Sequence, residues 1–124
     1  MESPTSAPPP VGVYHVDPDG PLIAGDRAAS DLIGEAISAG ATMIVLPVSR
    51  LGPDFFKLGT RVAGDMLQKL VNYRFQVVIL GDISAAVADS DALRDFVRES
   101  NRGRMVWFLP DVAALEEKLA MNGT

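Results

Sequence analysis

Three short apolar runs constrain the fold of this chain most: TMIVLPV (42–48), FQVVIL (75–80) and MVWFLP (105–110). Each is too short for a helix and rich in strand-forming residues. None alternates apolar with polar, so each reads as a strand covered on both faces, as in a parallel sheet. The segments between them have helical spacing. Ala29, Leu32, Ile33, Ala36 and Ile37 share one face after Asp26, and Gly40 supplies a stop. A second helix is predicted from Pro53, with Leu58, Val62, Ala63, Met66, Leu67 and Leu70 inward and Gly59 as a candidate break between its first turn and the rest. Arg61, Asp65 and Lys69 form a charge ladder on its opposite face, read as solvated. A third helix follows a cap at Asp89 or Ser90, with Leu93, Phe96 and Val97 inward. A fourth starts at Asp111, with Val112, Leu115 and Leu119 inward. The segment GDISAAVADSD between the second run and the third helix reads as a loop.

The N-terminal part reads differently. MESPTSAPPP (1–10) has the composition of a disordered tail and lacks the charged and apolar regions of a signal peptide. VGVYHV (11–16) reads as a strand, DPDG (17–20) as a turn and PLIA (21–24) as a short return strand. The expected fold is therefore one α/β domain over 11–121, with a mixed, mostly parallel sheet, an N-terminal hairpin and about four helices.

Composition narrows the function. The chain of 124 residues carries a net charge of −5, which argues against a nucleic-acid partner. No apolar run approaches the roughly 20 residues of a membrane-spanning helix. Cysteine is absent, which excludes disulfides and thiolate chemistry and is compatible with a cytoplasmic protein. His15 is the one histidine, and no metal-ligand spacing, P-loop or G-x-G-x-x-G is present, so neither a metal nor another cofactor is expected. Apolar residues make up 48% of the chain, which points to an extensively buried sheet or to self-association as a dimer or larger assembly.

Two rims of such a sheet can carry chemistry. At the carboxyl ends of the strands, where ligands usually bind, stand Ser49, Arg50, Asp82, Ser84 and Asp111. Asp82 would be a general base if burial raised its pKa, with Ser84 beside it; turn and cap hydrogen bonding is the simpler reading. At the opposite rim, RESNRGR reads either as a helix stop, with Asn101 or Gly103 as a left-handed cap and arginines complementing the helix terminus, or as a binding rim. In the second reading Asn72, Tyr73, Arg74, Asn101, Arg102 and Arg104 converge to hold a small anion or an acidic partner surface. Phe55 and Phe56 are adjacent, so one of them is a candidate to face a cavity or a second subunit, and an apolar ligand is the alternative there.

The blocks GPDFFKL, AGDMLQKLVNYR, ILGDIS, LRDFVRESNRGR and VWFLPD resemble, in that order, the bacterial domain of unknown function 4180 family, over roughly Gly12 to Leu119. The resemblance implies a small domain like the STAS regulatory modules and supplies no catalytic residues. Its motif residues fall on Asp54, Phe55, Phe56, Gly64, Gln68, Lys69, Asn72, Tyr73, Arg74, Gly81, Asp82, Ser100, Asn101, Arg102 and Gly103. The Ala-rich loop after GDIS departs from the aromatic or basic residues expected there. By analogy with STAS modules, Ser84 or Ser90 stands where a regulatory phosphate would be added. The leading expectation is a non-catalytic regulatory module that binds a ligand or protein partner as a small homo-oligomer. The alternative is a small-molecule isomerase, cyclase or lyase using Asp82 as acid/base, with the apolar residues around Phe55 and Met66 forming its pocket.

Overall fold

The computed structural model describes residues 12–122. The expected tail over 1–10 and the first residue of the expected strand lie outside the described residues. Among those described, the order is β1 (Val13–His15), α1 (Gly25–Ser38), β2 (Met43–Pro47), α2 (Val62–Asn72), β3 (Gln76–Leu80), α3 (Ser84–Asp89), α4 (Asp91–Arg102), β4 (Val106–Leu109) and α5 (Val112–Asn122). The four strands form one parallel sheet in the order β1-β2-β3-β4, with Val13 opposite Met43, Ile44 opposite Val77 and Val78 opposite Trp107. The three apolar runs are β2, β3 and β4.

Alternation along each strand divides the core. Ile44, Leu46, Val77, Ile79 and Phe108 pack with the buried faces of α1 and α2, with Phe96 and Val97 of α4 against them. Met43, Val45, Val78 and Trp107 turn to the other face and meet Leu115 and Leu119 of α5. Both faces are covered, which is why these strands lack polar alternation.

The expected hairpin is not formed, and the sheet is parallel throughout. Residues 21–24 are not strand. Arg50 takes up a carbonyl from this segment and one from the turn before it instead: Nε donates to Pro21 O at 2.6 Å and Nη1 to Asp17 O at 2.6 Å. Ile23 N–H donates to Arg50 O at 2.7 Å, and Ser49 Oγ donates to Pro18 O at 2.8 Å. These bonds hold 17–23 as a strap, leaving β1 to pair with β2 alone.

The second helix also starts later than the spacing suggested. Pro53–Phe56 and Leu58–Thr60 are 3-10 turns, and α2 begins only after Arg61, whose φ of +66° breaks the path. Thr60 Oγ donates to the carbonyls of Asp54 and Lys57, fixing these turns. The Ala-rich segment read as a loop contains the six-residue helix α3, consistent with the helix preference of alanine. Ser90 caps α4 by accepting from Leu93 N–H at 3.1 Å. Asp111 Oδ1 accepts from Ala114 N–H at 2.9 Å at the start of α5.

Candidate functional site

The helices α1 and α2 end in the same motif. After α1, Gly40 N–H donates to Ile37 O and Ala41 N–H to Ala36 O. After α2, Arg74 N–H donates to Val71 O and Phe75 N–H to Leu70 O. Both are paired Schellman closures, which need a left-handed residue at the first position after the cap. Gly40 fills it at φ +72°, and Arg74 fills it at φ +72°. A left-handed arginine carries a backbone cost that glycine does not.

Because β2, β3 and β4 are neighbours, the junctions that feed them lie side by side. Gln76 N–H donates to Thr42 O at 2.9 Å, Gln76 Nε2 to Arg104 O at 2.7 Å, and Val77 N–H to Met105 O at 2.8 Å. The junction that carries Tyr73 and Arg74 is therefore next to the one that carries Arg104 and Met105, with Arg102 at the end of α4. Asn72, Tyr73, Arg74, Arg102 and Arg104 are all exposed. Arg102 lies 3.7 Å from Glu99, a loose pair within its own helix. Large apolar side chains are exposed at the same end: Ile37 by 58%, Tyr73 by 55% and Met105 by 42%. Ile37 was expected inward, but it sits in the last turn of α1, beyond the cover of α2.

Asn101 does not belong to this surface. Its Oδ1 accepts from Phe108 N–H at 2.7 Å, and its Nδ2 donates to Phe108 O at 3.2 Å. The amide pairs with the outer edge of β4 as another strand would. Gly103 is the residue after α4, but at φ −89° it is extended, so the expected left-handed cap is absent. Gly103 O instead accepts from Trp107 Nε1 at 2.9 Å.

The carboxyl-end residues do not gather into one polar pocket. Arg50 and Ser49 hold the strap, and Asp111 caps α5. Asp82 Oδ1 accepts from Ser84 N–H at 2.9 Å. The Ser84 hydroxyl and backbone N–H hold the Asp82 carboxyl below its ordinary range. The hollow beside them, about 260 Å³, is walled chiefly by Ile83, Val87, Val97, Phe108 and Leu109. Phe55 is buried and meets the half-buried Phe56 edge-to-face, with ring centroids 5.1 Å apart, so both belong to the core. Asp54 is exposed in a 3-10 turn and contributes its carbonyl to Thr60 and Lys57.

One cluster was missed. Lys69, read as part of a solvated ladder, donates to Asp26 Oδ1 at 2.6 Å and to Ser30 Oγ at 2.9 Å, both on α1. A helical wheel of α2 alone cannot show that α1 lies beside it; the place of Lys69 among the family motif residues was the available signal.

Among the described residues, no three His, Asp or Glu side chains gather as a metal site needs, and no helix is long and apolar enough to cross a membrane. The fold is thus that of a small parallel α/β domain. Residues 10–119 match the family model described as Domain of unknown function (DUF4180), and the chain belongs to that family. No curated protein and no solved structure matches it.

Proposed function

We propose that this chain is a non-catalytic binding module that docks an acidic protein segment on the rim formed by Tyr73, Arg74, Arg102, Arg104 and Met105. The observation that carries the reading is Arg74 at φ +72°, where the equivalent position after α1 holds Gly40. A non-glycine residue in this region costs on the order of 1 kcal/mol. Among the described residues no hydrogen bond or ion pair holds its guanidinium. A side chain kept at that cost without an internal partner is suited to an external one. The guanidinium groups of Arg74, Arg102 and Arg104 complement carboxylates, while Tyr73, Met105 and Ile37 offer apolar surface between them. The partner segment is therefore one that interleaves acidic and apolar residues. Self-association as a small homo-oligomer and a place in the bacterial cytoplasm are part of the same reading. Its analogy to STAS modules rests on element order alone.

The isomerase, cyclase or lyase alternative with Asp82 as acid/base has less support: Ser84 holds the Asp82 carboxyl below its ordinary range, and the hollow beside it is walled mostly by apolar residues. The test is fluorescence anisotropy with a labelled peptide of alternating glutamate and leucine, against the lysine–leucine peptide. The acidic peptide should bind and the basic one should not. Arg74→Gly should weaken binding while raising the melting temperature. Equal binding of the two peptides, or full binding by Arg74→Gly and Arg104→Glu, would refute the reading.

A further inference from the structure

Away from the arginine rim, a cavity of about 290 Å³ lies between the start of α1 and the flank of α2 from Val62 to Lys69. Asp26, Ala29, Val62, Asp65, Met66 and Lys69 line it. Ala29 and Met66 are buried and form an apolar floor. The Lys69 side chain is only 24% exposed, whereas that of Asp26 is 84% exposed. An ammonium group has three hydrogens. Asp26 and Ser30 take two of those of Lys69, and no acceptor among the described residues takes the third. Asp65 lies one turn before Lys69 on the same helix and brings a second carboxylate to the wall.

A tie between two helices explains the Lys69–Asp26 pair. It does not explain a void beside the pair, nor a second carboxylate on the wall of that void. The charges exclude most occupants. Asp26 and Asp65 repel a phosphate or dicarboxylate, and Lys69 repels a simple cation. A neutral apolar molecule would strip water from all three charged groups without replacing its hydrogen bonds. A molecule with one carboxylate, one ammonium and an apolar body satisfies every wall. The volume lies at the lower end of the roughly 300–1,000 Å³ usual for ligand sites, so the occupant is small.

We propose that this cavity binds a small apolar α-amino acid. Its carboxylate accepts from Lys69 Nζ, its ammonium donates to Asp65, and its side chain rests on Ala29, Val62 and Met66. The site is separate from the arginine rim and stands or falls independently of it.

The test is calorimetric titration of the full chain with L-leucine, and with two compounds that each lack one charged group, 4-methylpentanoate and 3-methylbutylamine. L-leucine should bind with a Kd below about 1 mM. Each truncated compound should bind at least about tenfold more weakly, the loss expected for one charge-assisted contact. Lys69→Gln should lose the preference for leucine over 3-methylbutylamine, and Asp65→Asn the preference over 4-methylpentanoate. If Lys69→Gln does not fold, Asp65→Asn still tests the assignment, because Asp65 is exposed and ties no other element among the described contacts. Absence of leucine binding at about 10 mM, about tenfold above the expected limit on Kd, would overturn the proposal. So would equal binding of leucine and both truncated compounds, or unaltered preferences in Asp65→Asn.

Discussion

Arg74 and Gly40 occupy the same position of the same helix closure, each at φ +72°. The backbone bonds around them match, so the difference in cost lies in the residue itself. Replacing Arg74 by Gly removes a left-handed Cβ but adds freedom to the unfolded chain. The first effect is the larger by a modest margin, and Arg74→Gly should stabilise the domain by about 0.5 kcal/mol. Thermal unfolding would show this as a rise of about 2 °C. Gly81 is the opposite case. At φ +144° it lies against Val48, and a Cβ would approach Val48 Cγ2 to 2.8 Å. Gly81→Ala combines a strained backbone with a clash in the core and should cost about 2–4 kcal/mol, read as a lower urea midpoint. Asp82, next in the chain, makes a pH prediction. Hydrogen bonds from Ser84 lower its folded pKa below the unfolded value. Their stabilisation is therefore present above the unfolded carboxylate pKa of about 3.9 and is lost as pH falls through the folded pKa. The stability advantage of the parent over Asp82→Asn should shrink through that acid window and be level at neutral pH. An unchanging difference would show that Asp82 acts otherwise.

The elements show which parts of the structure were legible in the sequence. Strands β2, β3 and β4 were legible because burial on both faces leaves an uninterrupted apolar run. The starts of α4 and α5 were legible because Ser90 and Asp111 cap with their own side chains. The hairpin was misread because turn chemistry at 17–20 is compatible with any reversal, and the decisive partner, Arg50, lies about thirty residues away. Lys69 was misread for the same kind of reason: its neighbours Asp26 and Ser30 come from another helix. The candidate rim was half legible. Tyr73, Arg74 and Arg104 lie exposed at the helix-to-strand junctions where the sequence put them, but the Asn101 amide pairs with the edge of β4. That amide closes the outer edge of β4, a place where unpaired backbone groups invite association with another chain. Asn101→Ala should therefore cost about 1–3 kcal/mol through the lost partners of Phe108. Hydrogen exchange at the Phe108 amide should accelerate more than at Val78 in the centre of the sheet.

At the scale of the whole molecule, the net charge of −5 and the arginine rim pull in opposite directions. An acidic partner is repelled by the molecule as a whole and attracted only near the junctions of β3 and β4. Added salt screens both fields. The repulsion acts over the longer distance, and the Debye length is about 8 Å at physiological ionic strength, so moderate salt weakens repulsion first. Contacts at the rim itself are closer than this length and are screened less. Association with the glutamate–leucine peptide should therefore rise or hold level from low to moderate ionic strength, and fall only at higher salt. Arg104→Glu weakens the local attraction, leaving Arg74 and Arg102, and deepens the general repulsion, so its association rate should rise more from low to moderate salt than that of the parent. Stopped-flow measurement of the association rate at several salt concentrations distinguishes the two patterns. A rate that falls steeply from the lowest salt onward in the parent would mean that the rim field dominates at long range as well, and that the acidic remainder of the surface plays no part in selecting the partner.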